Sequence, residues 1–194
     1  MVKLTTDGGG ARLSPARRPG APVGWLARPT HPHDPEQLMN DPLLLALGEL
    51  IRKEISAGEL LQRVVGAMAE QLEADRGTIF LLNEARSELV SNAGHLPEVE
   101  EIRVPVQHGV AGYVARSERV VNIPYCESDK RFWRRIDETT GYQTRSMLAG
   151  PLYDADGEFT GVVQFLNKKT GIFDKDDERR FHTLSAQVAA LLAQ

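Results

Sequence analysis

At 194 residues, 41% of them hydrophobic, the chain is long enough for one ordinary domain with a real core, and its formal net charge of −4 shows no basic excess of the kind a general nucleic-acid binder carries. A lone cysteine, Cys126, excludes an internal disulfide, a CxxC redox pair and a cysteine-built zinc site within one chain, and it fits a reducing cytoplasm. No apolar run approaches the roughly 20 residues that cross a bilayer and the N-terminus lacks the apolar core of a secretory signal, so neither a membrane nor a nucleic acid is expected as partner.

Residues 1–36 are rich in Gly, Pro and Arg without an apolar period, which predicts a disordered tail. Trp25 and Leu26 form at most a short docking motif there, and His31 and His33 are too few for a metal site. Order is expected from residue 37 onward. Asp41-Pro42 suits an N-cap and first helical turn, and Leu44, Leu47, Leu50, Ile51 and Ile55 follow at amphipathic helix spacing. A second helix opens at Ser56, where Ser56-Ala-Gly-Glu59 matches a capping box, and continues through Leu60, Leu61, Val64, Val65, Met68 and Leu72 on one face.

A sheet begins at "TIFLL", Thr78 to Leu82, with "ELVSNAG" as its hairpin partner. Ile102, Val104 and Val106 alternate as a half-buried strand. Gly109-Val110-Ala111-Gly112 opens a short helix ending near Ser117, and the backbone amides of Val110 and Ala111 at its start suit an anion. Val120, Val121 and Ile123 make another short strand. "SDKRFWRRIDETTGYQTRS" is polar with embedded aromatics and too long for a simple turn, so a short helix or lid is expected. Two strands joined at Asp156-Gly157 follow, then a helix capped by Asp174 and bearing Phe181, Leu184, Val188 and Leu191 as a coiled-coil-like stripe. This order predicts an α+β fold.

The order of elements, together with "LNKKTGIFDKDDE", resembles the GAF domain, the sensory module of cyclic-nucleotide phosphodiesterases, bacterial adenylyl cyclases and other signalling proteins. The resemblance implies a central antiparallel β-sheet with the terminal helices on one face and a ligand pocket with its lid on the other. Asn167, Lys168, Phe173, Asp177 and Glu178 reproduce the NKFDE signature of the cyclic-nucleotide-binding subset. That likeness implies a salt bridge between Lys168 and Asp177 behind the ligand, tying the last strand to the closing helix. On the same basis Trp133, Asp137, Thr140 and Thr144 take ligand-facing positions in the lid, and Thr78 and Gln164 complete the match. Gly94 and His95 stand where several relatives carry an aromatic and an aspartate; His95 is the ligand-binding candidate there, able to stack or hydrogen-bond, and the choice between cyclic AMP and cyclic GMP stays open.

What the resemblance implies is therefore a cytoplasmic, non-catalytic sensor that binds a 3′,5′-cyclic mononucleotide, needs no cofactor, and signals as a homodimer or through a partner protein. The alternative is a GAF module without a ligand that serves dimerisation, with the stripes at Leu44–Ile55 and Phe181–Leu191 pairing between chains. One GAF family reduces free methionine sulfoxide, but with several cysteines. Bilin attachment at Cys126 lacks a neighbouring histidine in "IPYCESDK".

Overall fold

The computed structural model describes residues 56–94, 98–154 and 156–192. The expected tail over 1–36 and the helix expected over 42–55 lie outside these residues, as does His95.

Helix α1, Ala57–Gln71, starts where the sequence predicts. Ser56 Oγ accepts from the Glu59 amide at 3.2 Å, but Glu59 turns to Arg63 one turn on instead of back to the cap, so only half of the capping box forms. Six strands follow: β1 (Ala74–Leu82), β2 (Glu88–Gly94), β3 (Arg103–Pro105), β4 (Val121–Ile123), β5 (Met147–Tyr153) and β6 (Phe159–Lys168). Helix α2 (Gly109–Ser117) separates β3 from β4. A 3-10 turn at Cys126–Ser128 and helix α3 (Arg135–Thr140) fill the long segment before β5, and α4 (Lys175–Leu192) closes the chain. The segment read as a lid thus contains the short helix expected of it.

The strands form one sheet in the order β3-β2-β1-β6-β5-β4, with antiparallel pairing throughout. Alternation along β6 divides its side chains between two cores. Val163 and Phe165 join Ile79, Leu148 and the buried face of α1 on one side, where Phe181 and Leu184 of α4 also pack. Phe165 and Phe181 meet edge to face at 6.0 Å, and Gly150 lies under Phe181, where a Cβ would come within 2.6 Å of the ring tip. Val162 joins Phe80, Ala149 and α2 on the opposite side. Phe181 and Leu184 are therefore spent on the molecule's own sheet, and the intermolecular stripe expected of them is not open at these two positions.

Candidate functional site

The second core is incomplete at its centre. A cavity of about 60 Å³ lies between β1, β5 and β6 on one wall, the start of α2 on another, and Phe132, Trp133 and α3 as a roof. Antiparallel register supplies its floor, because Thr78 faces Gln164 and Gln164 faces Ala149 across three neighbouring strands. Gly112 lets α2 press against the strand before it, since a Cβ there would stand 2.6 Å from the Val106 carbonyl. This brings the N-terminal turn of α2 to the cavity edge.

Of the predicted ligand-facing residues, Val110, Ala111, Trp133, Asp137, Thr144 and Gln164 line the cavity together. Thr78 is buried in the floor row without forming part of the lining. Thr140 lies outside it: the hydroxyl donates to the Ile136 carbonyl at 2.9 Å and accepts from the Tyr142 amide at 3.2 Å, closing the end of α3. The strand-borne apolar walls, Phe80, Met147 and Leu166, are not legible in the sequence, because an apolar residue in an alternating strand carries no mark that separates a cavity wall from a core.

Polar groups in the lining differ in how they are held. Asp137 accepts from both the amide and the hydroxyl of Thr144, each at 2.7 Å, and so fastens α3 to the approach of β5. Trp133 stacks on His108 at 5.3 Å with an interplanar angle of 21°. Gln164 is different: among the described residues the hydrogen-bond partner of its carboxamide is the Met147 sulfur at 3.5 Å, a weak acceptor.

Behind the cavity, the residues of the NKFDE pattern form two connected anchors. Asn167 is buried with φ 53°, a left-handed conformation that asparagine tolerates better than most residues. Its Oδ1 accepts from the amides of Arg145 and Ser146, and its Nδ2 donates to Tyr142 Oη and the Gln143 carbonyl, so the carboxamide holds the lid's exit by four hydrogen bonds. Lys168 turns the other way and meets Asp177 Oδ1 at 2.8 Å, with side chains only 9% and 3% exposed. Its ammonium also donates to the Leu72 carbonyl at the end of α1. Phe173 is buried in the helix-side core and its carbonyl, with Glu178 Oε1, accepts from Asn122 of β4. Asp174 Oδ1 accepts from the amides of Asp176 and Asp177, which caps α4 as predicted and holds the Asp174 carboxyl below the usual carboxylate range.

Cys126 is fully buried on the cavity side of the sheet. Burial, followed by the nearby carboxylates of Asp137 and Asp129, pushes its thiol up to about 12, and a neutral thiol is a poor nucleophile for attachment or reduction chemistry. Among the described residues no helix is long and apolar enough to cross a membrane.

The family model for the GAF domain matches residues 56–192, and the chain belongs to that family. Among characterised relatives it is similar to the dual 3′,5′-cyclic-AMP and -GMP phosphodiesterase 11A of Takifugu rubripes, 35% identical over 148 residues that cover 70% of this chain and 16% of the relative. It is also similar to dual 3′,5′-cyclic-AMP and -GMP phosphodiesterase 11 of Drosophila melanogaster, 32% identical over 75% of this chain and 11% of the relative. The chain thus corresponds to a small part of each. Similar solved folds include the GAF domain of a phosphoenolpyruvate-protein phosphotransferase from Coxiella burnetii (TM-score 0.65, 21% identity, covering 77% of this chain and 90% of that one). Free methionine-R-sulfoxide reductase from Neisseria meningitidis in complex with its substrate is another (TM-score 0.63, 18% identity, covering 77% and 86%). A GAF domain homologous to those of cyclic-nucleotide phosphodiesterases is a regulatory sensor module.

Proposed function

We propose that the cavity takes a 3′,5′-cyclic mononucleotide, cyclic AMP or cyclic GMP, and that the module passes this signal on through dimerisation or a partner protein without catalysing a reaction. The observation that carries the reading is Gln164. A 9%-exposed carboxamide facing a cavity with a thioether as its partner is held below its hydrogen-bonding capacity, and a purine edge would supply what it lacks. The first-turn amides of α2 suit the cyclic phosphate, and Trp133 and Leu166 offer apolar surface to the base and sugar. Asp137 and Thr144 are positioned to exchange their mutual bonds for bonds to ribose or base. The similarity to phosphodiesterases named for cyclic AMP and cyclic GMP supports the same ligand class.

Small-molecule sites commonly measure about 300–1,000 Å³, so a cavity of about 60 Å³ admits a nucleotide only when the lid moves outward. That small volume is also what favours the second reading, a GAF module that serves interaction alone. Melting curves separate the two. With a cyclic nucleotide at about a hundred times its dissociation constant, stabilisation of about 2.7 kcal/mol raises the melting temperature by roughly 5–10 °C, and the 5′-monophosphates raise it far less. Unchanged melting with both cyclic nucleotides at millimolar concentration would put the interaction module first.

A further inference from the structure

Tyr142 follows Gly141, whose φ of 71° ends α3, and it joins the lid to two other parts of the molecule. Its hydroxyl donates to Asp75 Oδ2 at 2.6 Å and accepts from Asn167 Nδ2 at 2.8 Å. Burial, then the hydrogen bond to the Asp75 carboxylate, raises the phenol above its usual range and keeps it a donor. The guanidinium of Arg76 lies over the ring at 3.7 Å. On its other side Arg76 makes a two-pronged bond to Glu98, at 2.8 and 2.6 Å, with the arginine side chain only 13% exposed. Glu98 opens the segment leading into β3, in which Val99 packs on the cavity-side core and Ile102 exchanges hydrogen bonds with Ser91 of β2.

By contrast, α3 itself has no buried residue. Its hold on the molecule is therefore limited to the half-buried Ile136 on the cavity-side core, the bonds between Asp137 and Thr144, and Tyr142 beyond its end, which bonds to β1 and β6. We propose that Tyr142, Arg76 and Glu98 form a clasp that joins the lid to the segment of residues 98–102 leading into β3, so that the two open together and the clasp governs release from the cavity. The consequence for release rests on the nucleotide reading above; the coupling itself does not.

Hydrogen exchange on the full chain, without added nucleotide, tests the coupling. Tyr142→Leu removes both the ring stacked on Arg76 and the hydroxyl bonded to Asp75 and Asn167. Glu98→Gln weakens the far end of the clasp. Each is expected to speed exchange about tenfold, the size of one hydrogen bond to a charged group, at Thr144 and Arg145 on the lid side and at Ser91 and Ile102 on the strand side alike. Acceleration confined to the mutated side would overturn the proposal, since a local structural role predicts only that. Equal acceleration in β5 and β6 would overturn it too, by showing that the residue supports the whole sheet. If a cyclic nucleotide binds, Tyr142→Leu is further expected to raise its dissociation rate about tenfold with a much smaller change in association. An unchanged dissociation rate beside coupled exchange would remove only the role in release.

Discussion

Lys168→Ala is expected to lower stability by about 3 kcal/mol, because it leaves the Asp177 carboxylate buried without its cation. Partial compensation remains, since Asp177 Oδ2 still accepts from the Asp174 amide at 3.0 Å, which places the effect at the lower end for a broken buried pair. In a chain of 194 residues that loss lowers the melting temperature by roughly 6–12 °C. The substitution also frees the end of α1, where Lys168 binds the Leu72 carbonyl and the neighbouring Lys169 amide donates to Glu73 at 2.7 Å. Nucleotide affinity is expected to fall although Lys168 is not in the cavity lining, because β6 carries Gln164 on one side and the anchor on the other. Asp177→Ala is expected to act similarly, and the double variant to lose little more than either single. Urea denaturation of the three variants checks this. Strict additivity with small single effects would reduce the pair to a solvated cap of α4.

Asn167→Ala is expected to cost a similar amount, about 3–5 kcal/mol, by a different route. It strips partners from the Arg145 and Ser146 amides, the Gln143 carbonyl and the Tyr142 hydroxyl, and it places alanine at φ 53°. Asn167→Gly separates the two contributions, as glycine accepts the backbone conformation and lacks the carboxamide. Most of the loss is expected to persist in Asn167→Gly, with the lid's exit exchanging its amide protons faster than the central strands. Recovery of wild-type stability in Asn167→Gly would show that the backbone conformation, and not the four hydrogen bonds, is what asparagine supplies.

The parts of this fold legible in the sequence are those whose cause is local or periodic. The helical spacing of Leu61, Val64, Val65 and Met68 marks α1, Asp156-Gly157 marks the β5–β6 hairpin, and Asp174 caps α4. Strand β3 is shorter than Ile102-Val104-Val106 suggests, because the chain turns at Pro105, whose carbonyl accepts from His108. The lid was legible as a segment but not in detail. Thr140 reads as a ligand-facing hydroxyl, yet a threonine at the end of a helix has its own preceding carbonyl within reach, and Ile136 takes it. Tyr142 carries no local signal, because its partners, Asp75 and Asn167, are 67 and 25 residues away in the chain. The NKFDE resemblance implies the bridge between Lys168 and Asp177 that ties β6 to α4, and the structure contains it. It does not imply that Asn167, one residue earlier, holds the lid's exit through its carboxamide.

Calorimetric titration of the chain with cyclic AMP and with cyclic GMP, repeated on Gln164→Leu, tests the proposed ligand most directly. The expected result is a dissociation constant of roughly micromolar or tighter for at least one of them, about −8 kcal/mol, weakened about tenfold or more when Gln164 loses its carboxamide. No heat from either nucleotide at millimolar concentration would contradict the account, and so would full affinity in Gln164→Leu, because the ligand would then bind somewhere other than this cavity.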